Sequence, residues 1–437
     1  MLETFKSIFK VEELRKRILF TLGILIVYRI GGHVPTPGVD GAVLSQFFSS
    51  SDSIFGLLDL FAGGAFAKAT IFALGIMPYI SASIMLQLLG AVIPFLQRLQ
   101  REGEEGRRKI TQYTRYLTVL IASLQAWGTS EFLTTITNSA GVSAVYMEQI
   151  WFVPLTIITF TAGCIFIMYL GEQITEKGIG NGISLIIFIG IIARFPQAVI
   201  QEAQMIWFGS RSILVEAVMV VVMIAVIAAV ILVTRAQRKV PVQYPKKVVG
   251  RKVYGGQQTH LPLSVNSAGV IPIIFAQSIM FLPSTVAQLF PETDWVQNLV
   301  SVWLAPGGWW YSIIYAIIII FFGYFYTAIV FNPMEIADNM RKNGGYIPGI
   351  RPGKNTSQYI EGILTRITLP GAIFFAAIAV LPWVLISQMN VNFFFGGTGL
   401  LIIVGVALDT LQQIESHLMM RHYDGFMKKG KIRGRSM

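Results

Sequence analysis

Two stretches of this chain are apolar enough to decide which solvent it folds in. Ile213–Val233 reads ILVEAVMVVVMIAVIAAVILV, and Ile313–Val330 reads IIYAIIIIFFGYFYTAIV. A bilayer core asks for about 20 consecutive helical apolar residues, and each block supplies nearly that without help. The whole chain agrees, with 54% hydrophobic and 13% charged residues, where a soluble domain carries about 25% charged. The expectation is a polytopic, all-α membrane protein.

Ten spans are predicted, at about 18–34, 69–94, 116–134, 151–171, 180–200, 213–233, 267–290, 311–331, 367–387 and 398–420. Basic residues precede the first (Lys6, Lys10, Arg15, Lys16, Arg17), but no small-residue cleavage site follows it, so it reads as a retained span and not a signal peptide. An even count puts both termini on one side. Lys and Arg crowd residues 1–17, 97–115, 234–265, 332–366 and the tail 421–437, whereas 35–67, 135–150, 291–310 and 388–397 hold none. The basic loops and both termini are therefore expected in the cytoplasm, with only Arg211 out of pattern.

The domain plan follows from those loops. Residues 1–17 form an amphipathic cytoplasmic helix, 18–200 a first half of five spans, 201–420 a second half of five, and 421–437 a basic tail. Five is odd, so the halves are expected in opposite orientations, the arithmetic of an inverted repeat. The long loops at 234–265 and 332–366 exceed what topology alone requires. Their segments VPVQYPKKVVGRKVYGG and GGYIPGIRPG are rich in Pro, Gly and Tyr, which predicts turns and a hairpin tip, and partner docking besides contact with anionic lipid.

Ionisable residues are sparse within the expected spans. Arg29, Lys68 and Arg194 lie near span ends and are expected to snorkel. His33, His260, His417 and His422 are dispersed, and KGIGNGIS lacks the Gly-Lys-Ser/Thr of a phosphate loop. The single Cys164 lies inside an apolar block and makes no intrachain disulfide. No mid-membrane carboxylate chain, nucleophile–base pair or cofactor site emerges; a conduit or scaffold is expected, not an enzyme. Gln125 in the third span and Asn266 with Ser267 at the opening of the seventh are buried amides and a hydroxyl that need partners, or mark a seam that closes and reopens. FAGGAFAKATIFALGIMPYI, residues 61–80, is a broken half-length segment before a span, and irregular backbone at membrane depth is tolerated only within protein or a wet cavity.

These segments carry a resemblance. ELRKRILFTLGILIVYRIGGHVPTPGVD, FAGGAFAKATIFALGIMPYISASIMLQLL, EGEEGRRKITQYTRY, GEQITEKGIGNGIS, THLPLSVNSAGVIP, FYTAIVFNPMEIADNMRKNGGYIPGIRPG and FGGTGLLI occur in that order between about residues 10 and 430. Together they closely resemble the SecY family, the large channel subunits of bacterial Sec protein translocons.

The resemblance implies a plug at about 59–70, including Phe61, Gly63 and Gly64, formed as a short helix re-entering from outside. It implies an apolar pore ring at Ile76, Ile80, Ile183, Ile187, Ile274 and Ile402, and a lateral gate with Gln125, Asn266 and Ser267 at its polar positions. Arg251, Lys252 and Arg351 match the loop tips that dock the ribosome or the SecA motor, although two arginines are commoner where Arg251–Lys252 stands. The implied partners are SecE and SecG, SecA, the ribosome through protein and rRNA near its exit tunnel, signal sequences, nascent membrane proteins and anionic lipids. The implied place is the bacterial plasma membrane. The implied function is a protein-conducting channel that moves unfolded secretory chains outward and releases transmembrane segments sideways. Two other readings stay open at this point: an inverted-repeat secondary transporter, which would need a mid-membrane charged site, and a scaffold without a pore.

Overall fold

The computed structural model describes residues 11–41, 43–44, 47, 62–137, 143–209, 212–244, 247–249, 252–254, 258–266, 269–289, 293, 295, 298–304, 308–389 and 397–429. Helices dominate, and each of the ten stretches expected to span holds one. They are α1 (Glu12–Gly31), α2 (Met77–Val92), α3 (Pro94–Arg101), α4 (Glu104–Thr135), α5 (Gln149–Lys177), α6 (Gly182–Ile192), α7 (Phe195–Trp207) and α8 (Ile213–Arg235). After the strands β1 (Gln237–Gln243), β2 (Lys247–Val249), β3 (Lys252–Tyr254) and β4 (Gln258–Ser264) come α9 (Ile271–Leu289), a π-turn at Leu299–Trp303, α10 (Trp309–Val330), α11 (Pro333–Lys342), α12 (Lys354–Met389) and α13 (Gly397–Lys429).

Among the described residues, six helical stretches are long and apolar enough by themselves to cross a bilayer: Gln149–Lys177, Gly182–Trp207, Ile213–Arg235, Trp309–Lys342, Lys354–Leu381 and Thr398–Met419. The bent pair Met77–Val92 and Pro94–Gln100 would make a seventh. Its 104° bend has a local cause. Pro94 drives the preceding residue out of the helical region, and Ile93 sits extended at φ −86°, ψ 117°. Side-chain caps start other helices: Asn181 accepts from the Ser184 N–H, Ser212 from that of Leu214, and Asn332 from those of Met334 and Glu335.

The chain falls into two compact units, one of Met1–Val199, Phe281–Ser301 and Val406–Met437, the other of Ile200–Met280 and Val302–Gly405. In the first, α2 packs on α4, α4 on α5, and α5 on α1 and α6. Small residues permit the close approaches, as they do wherever helices meet in lipid. A Cβ on Gly163 of α5 would strike the carbonyl oxygen of Ile71, and one on Gly182 would strike that of Gly171. Arg115 of α4 clamps Glu172 of α5 through two parallel hydrogen bonds of 3.0 and 2.7 Å.

KGIGNGIS is the corner between α5 and α6. Gly180 has φ +83°, and its N–H donates to Gln413 Oε1 on α13; the Ile179 N–H donates to Thr21 Oγ1 on α1. The glycines of this stretch serve a tight structural corner that joins α5 to α6 and ties both to α1 and α13.

In the second unit, α10 packs on α12, and Phe275 meets Phe322 edge to face at 5.8 Å. β1 and β4 form an antiparallel ribbon from Gln237↔Ser264 to Gln243↔Gln258, extended by β2 and β3 from Lys247↔Tyr254 to Val249↔Lys252. The hairpin expected from Pro, Gly and Tyr content is therefore present.

The start of the second span differs from expectation. The sequence pattern puts it at about residue 69, but helix begins only at Met77. Residues 62–69 and 71–76 are turns and bends, and Thr70 bridges to Pro35. The reason lies in the backbone: Gly63, Gly64, Ala69 and Gly75 have φ of 66°, 88°, 41° and 58°. No right-handed helix passes through four left-handed residues.

The close approach at the α5–α6 corner yields a stability test. Gly182→Ala is expected to cost about 1–3 kcal/mol, because backbone and not a flexible side chain blocks the new methyl. Gly23→Ala in α1, where nothing lies within 4 Å, should be neutral or slightly stabilising. Thermal unfolding of both variants in detergent checks this; an unshifted Gly182→Ala midpoint contradicts the packing described.

Candidate functional site

Four groups of residues singled out by sequence have definite places in the structure. The first is the broken segment before α2. Phe61 lies outside the described residues, while Gly63 is buried and Gly64 half-buried. The segment is held in protein at both ends. At its base the Thr36 N–H donates to the Ala69 carbonyl at 2.9 Å, and the Ile71 N–H to that of Val34 at 3.0 Å. The Phe72 ring stacks on Tyr28 of α1 and on Phe166 of α5, with centroids 5.9 and 6.0 Å apart. At its tip, Arg29 Nη1 donates to the Gly63 carbonyl at 2.9 Å. A Cβ on Gly63 would stand 2.9 Å from the Gly190 Cα, so backbone meets backbone at α6.

The isoleucines follow. Ile76 caps α2, and its carbonyl accepts from the Ile80 N–H at 3.2 Å. Ile183 and Ile187 lie one turn apart on α6. These four belong to the first unit; Ile274 on α9 and Ile402 on α13 belong to the second. All but Ile183 are buried, Ile187 and Ile402 fully. Ile183 is half-buried, with its Cδ1 over Gly171 of α5.

The polar residues read as a seam are separate in kind. Gln125 is 4% exposed in α4, and its Nε2 finds no partner among the described residues. A buried donor left unpaired costs about 1–3 kcal/mol, so Gln125 is a stored cost in this conformation. Asn266 is half-buried in the turn before α9, where it lines a small cleft of about 20 Å³ with Gly269, Gly323, Thr327, Thr368 and Gly371. Ser267 lies outside the described residues.

The fourth group is the pair of long basic loops, which form one body. The Gln243 N–H donates to the Tyr346 carbonyl at 2.9 Å, the Tyr346 N–H to that of Gln243 at 3.0 Å, and the Tyr346 hydroxyl to Gln243 Oε1 at 3.1 Å. Beneath this bridge Val240, Val242 and Leu263 of the ribbon pack with Met340, Ile347, Ile360 and Leu364 of the second loop and α12. Arg351 is exposed and makes no hydrogen bond or ion pair through its guanidinium among the described residues. Its backbone is pinned, since Thr356 Oγ1 donates to its carbonyl at 3.0 Å and the left-handed Gly349 and Gly353 (φ 82° and 104°) flank it. Arg251 lies outside the described residues, and of Lys252 only the backbone, in β3, is described.

Sequence reasoning missed Arg29, Gly190, Phe72 and the Gln243–Tyr346 bridge. Arg29 was read as a snorkelling cation; the only signal against that was its place just before the break in residues 61–80. Nothing in local sequence pairs Gln243 with Tyr346, which lie 103 residues apart.

The SecY family model matches residues 70–411. The protein translocase subunit SecY of Thermotoga maritima is 44% identical over 441 residues, covering 100% of both chains. That of Escherichia coli is 45% identical over 427 residues, covering 97% of this chain and 96% of its own. Among solved structures, one described as a protein conducting channel aligns with TM-score 0.66 at 18% identity, over 92% of each chain. Sec61 in a canine ribosome–channel complex aligns with TM-score 0.63 at 18% identity, again over 92% of each. The family model over residues 70–411 and relatives 44% and 45% identical over nearly the whole chain lead to one assignment: the chain belongs to the SecY family.

Proposed function

We propose that this multi-pass membrane protein is a protein-conducting channel. It passes unfolded secretory polypeptides across the bacterial plasma membrane and releases transmembrane segments laterally into lipid. The observation that carries the reading is the segment 62–76, buried backbone in turns where a span would be continuous helix. Lipid does not tolerate such backbone, so its place is inside protein, as a stopper. The isoleucines at 76, 80, 183, 187, 274 and 402 act as the constriction. An apolar ring excludes water and ions, yet offers a passing chain no fixed polar contact.

Gln125, Asn266 and Ser267 are assigned to the lateral gate. An unpaired amide such as Gln125 lowers the cost of parting helices, because it loses no hydrogen bond when they separate. A signal sequence replaces the helix contacts with its own apolar surface. The basic loops face the cytoplasm with both termini, and dock SecA or the ribosome through Arg251, Lys252 and Arg351. The coupling of Gln243 to Tyr346 supports a single platform, because a push on one loop is felt by the other. SecE and SecG complete the membrane complex, and anionic lipids meet the remaining basic residues. The chain performs no covalent chemistry; a motor or translation supplies the work. The secondary-transporter reading gains nothing from relatives that bear translocase names.

Three measurements test this. Deleting Asp59–Thr70 should leave a folded channel that conducts ions in bursts across a planar bilayer, and conductance equal to the parent would sink the stopper. Ile80→Ser with Ile187→Ser should hydrate the constriction and raise resting leak while export continues. A tight double variant with normal export would remove these residues from the barrier.

Arg351→Glu should leave the protein inserted and abundant, since an exposed side chain shifts stability by about 0.5 kcal/mol or less. Motor-driven export into proteoliposomes should fall strongly, as losing a partnered charge costs about 2–5 kcal/mol of binding. Arg351→Lys should fall between, because it keeps charge without the planar fork. Undiminished export by the glutamate variant would refute docking at this residue.

A further inference from the structure

The segment 62–76 divides into two parts held in different ways. The base, from Thr70 onward with the Ala69 carbonyl at its edge, is fixed by several independent contacts. Two backbone hydrogen bonds join it to Val34 and Thr36, and they flank the bridge between Pro35 and Thr70. Phe72 lies between the rings of Tyr28 and Phe166, and a Cβ on Gly31 would run into it. The Ile71 carbonyl rests on Gly163. Parting this base means losing ladder hydrogen bonds and an aromatic stack together.

The tip is held more lightly. Between Ala62 and Lys68 the residues are Ala, Gly, Gly, Ala, Phe, Ala and Lys, so Phe66 is the one large side chain it buries. Its backbone touches α6 through Gly63 and Gly190, a contact between two residues without side chains. Arg29 of α1 donates to the Gly63 carbonyl. Arg194, at the end of α6, stands on the neighbouring residue, with its Nε 3.8 Å from where a Gly64 Cβ would be. Two guanidinium groups thus bracket one turn of backbone, and a carbonyl accepting from a charged donor forms the stronger class of hydrogen bond.

Between base and tip sits Ala69, at φ +41°. It is the one non-glycine residue with positive φ among the described residues. An L-residue there is strained, and strain of this kind persists only while the surroundings enforce it. A strained residue between a clamped base and a lightly held tip is where the chain turns when the tip lets go.

We infer that Arg29 is the latch of the closed channel: its hydrogen bond to the Gly63 carbonyl holds the tip 62–68 against α6, and the tip swings out about Ala69 while the base from Thr70 stays in place. The inference rests on residues 59–70 being the stopper and adds which contact sets its release. The contact makes Arg29 a positioning residue, since it acts on the seal through Gly63 and touches no translocating chain.

The test compares resting ion leak across planar bilayers for purified Arg29→Met, Arg29→Lys and Gly63→Ala, with the two Arg29 variants also made in the background lacking Asp59–Thr70. Arg29→Met keeps length and loses the donor, and should raise leak about tenfold or more. Arg29→Lys keeps a donor and should restore most of the seal. Gly63→Ala leaves Arg29 intact but sets a methyl against Gly190 at positive φ, and should leak as well. Neither Arg29 variant should add leak in the deleted background, because the latch then has nothing to hold.

Arg29→Met as tight as the parent, while the deletion leaks, overturns the latch and leaves the channel reading standing. A deletion that is itself tight overturns the stopper. Equal leak from Arg29→Lys and Arg29→Met, or leak that adds to the deletion, makes Arg29 merely structural and overturns the proposal.

The hinge has its own readout. Ala65 and Ala73 are each 1% exposed, and Cys164 is buried background. With a secretory chain arrested in the channel, Ala65→Cys should become reactive to a water-soluble maleimide while Ala73→Cys stays protected. Reactivity at both places the hinge elsewhere.

Discussion

A backbone carbonyl or N–H inside a bilayer must find its partner within the protein. Helices meet that demand by themselves; residues 62–76 do not, since four of their residues have left-handed backbone. Their partners come from outside the segment and from its own turns. Val34 and Thr36 pair with Ile71 and Ala69, the Thr70 N–H donates to the Ala65 carbonyl at 2.9 Å, and Arg29 reaches Gly63. That unwound stretch can exist only because α1, α5 and α6 surround it, so the helices are arranged to serve it as much as to span.

The surrounding helices come close where side chains are missing. Gly31, Gly163 and Gly190 each accept part of the segment, and Gly171 with Gly182 brings α5 to α6. Hydrophobic burial does not discriminate between helix and lipid contacts, so small residues set which surfaces fit. The same logic makes the tip releasable. Alanine and glycine surfaces give specificity of fit with little apolar area to lose on parting.

In the long basic loops the organising contact is different. Gln243 and Tyr346 exchange both backbone hydrogen bonds and add one between side chains, over a cluster of seven buried apolar residues. This converts two loops into one small folded body outside the apolar spans. Arg351 projects from it on a backbone that Thr356 holds still, which lowers the entropy lost when a partner binds.

Much was legible in the sequence because membrane burial is a composition-level demand. Blocks such as Ile213–Val233 announce helix through length and hydropathy, and the glycines at 63 and 64 announce that the chain leaves helix there. The ribbon between Gln237 and Ser264 was foreseen from its turn residues for the same local reason. Long-range pairing was not legible. The sequence marks Arg29 only as a charge near a span end, and whether it reaches water or the Gly63 carbonyl depends on where α1 lies against the broken segment. Likewise, Ala69 carries no sign of positive φ, because the contacts enforcing it come from Thr36. Local pattern determined what each segment is; the packing of distant backbone determined which segments are clamped and which are free to move.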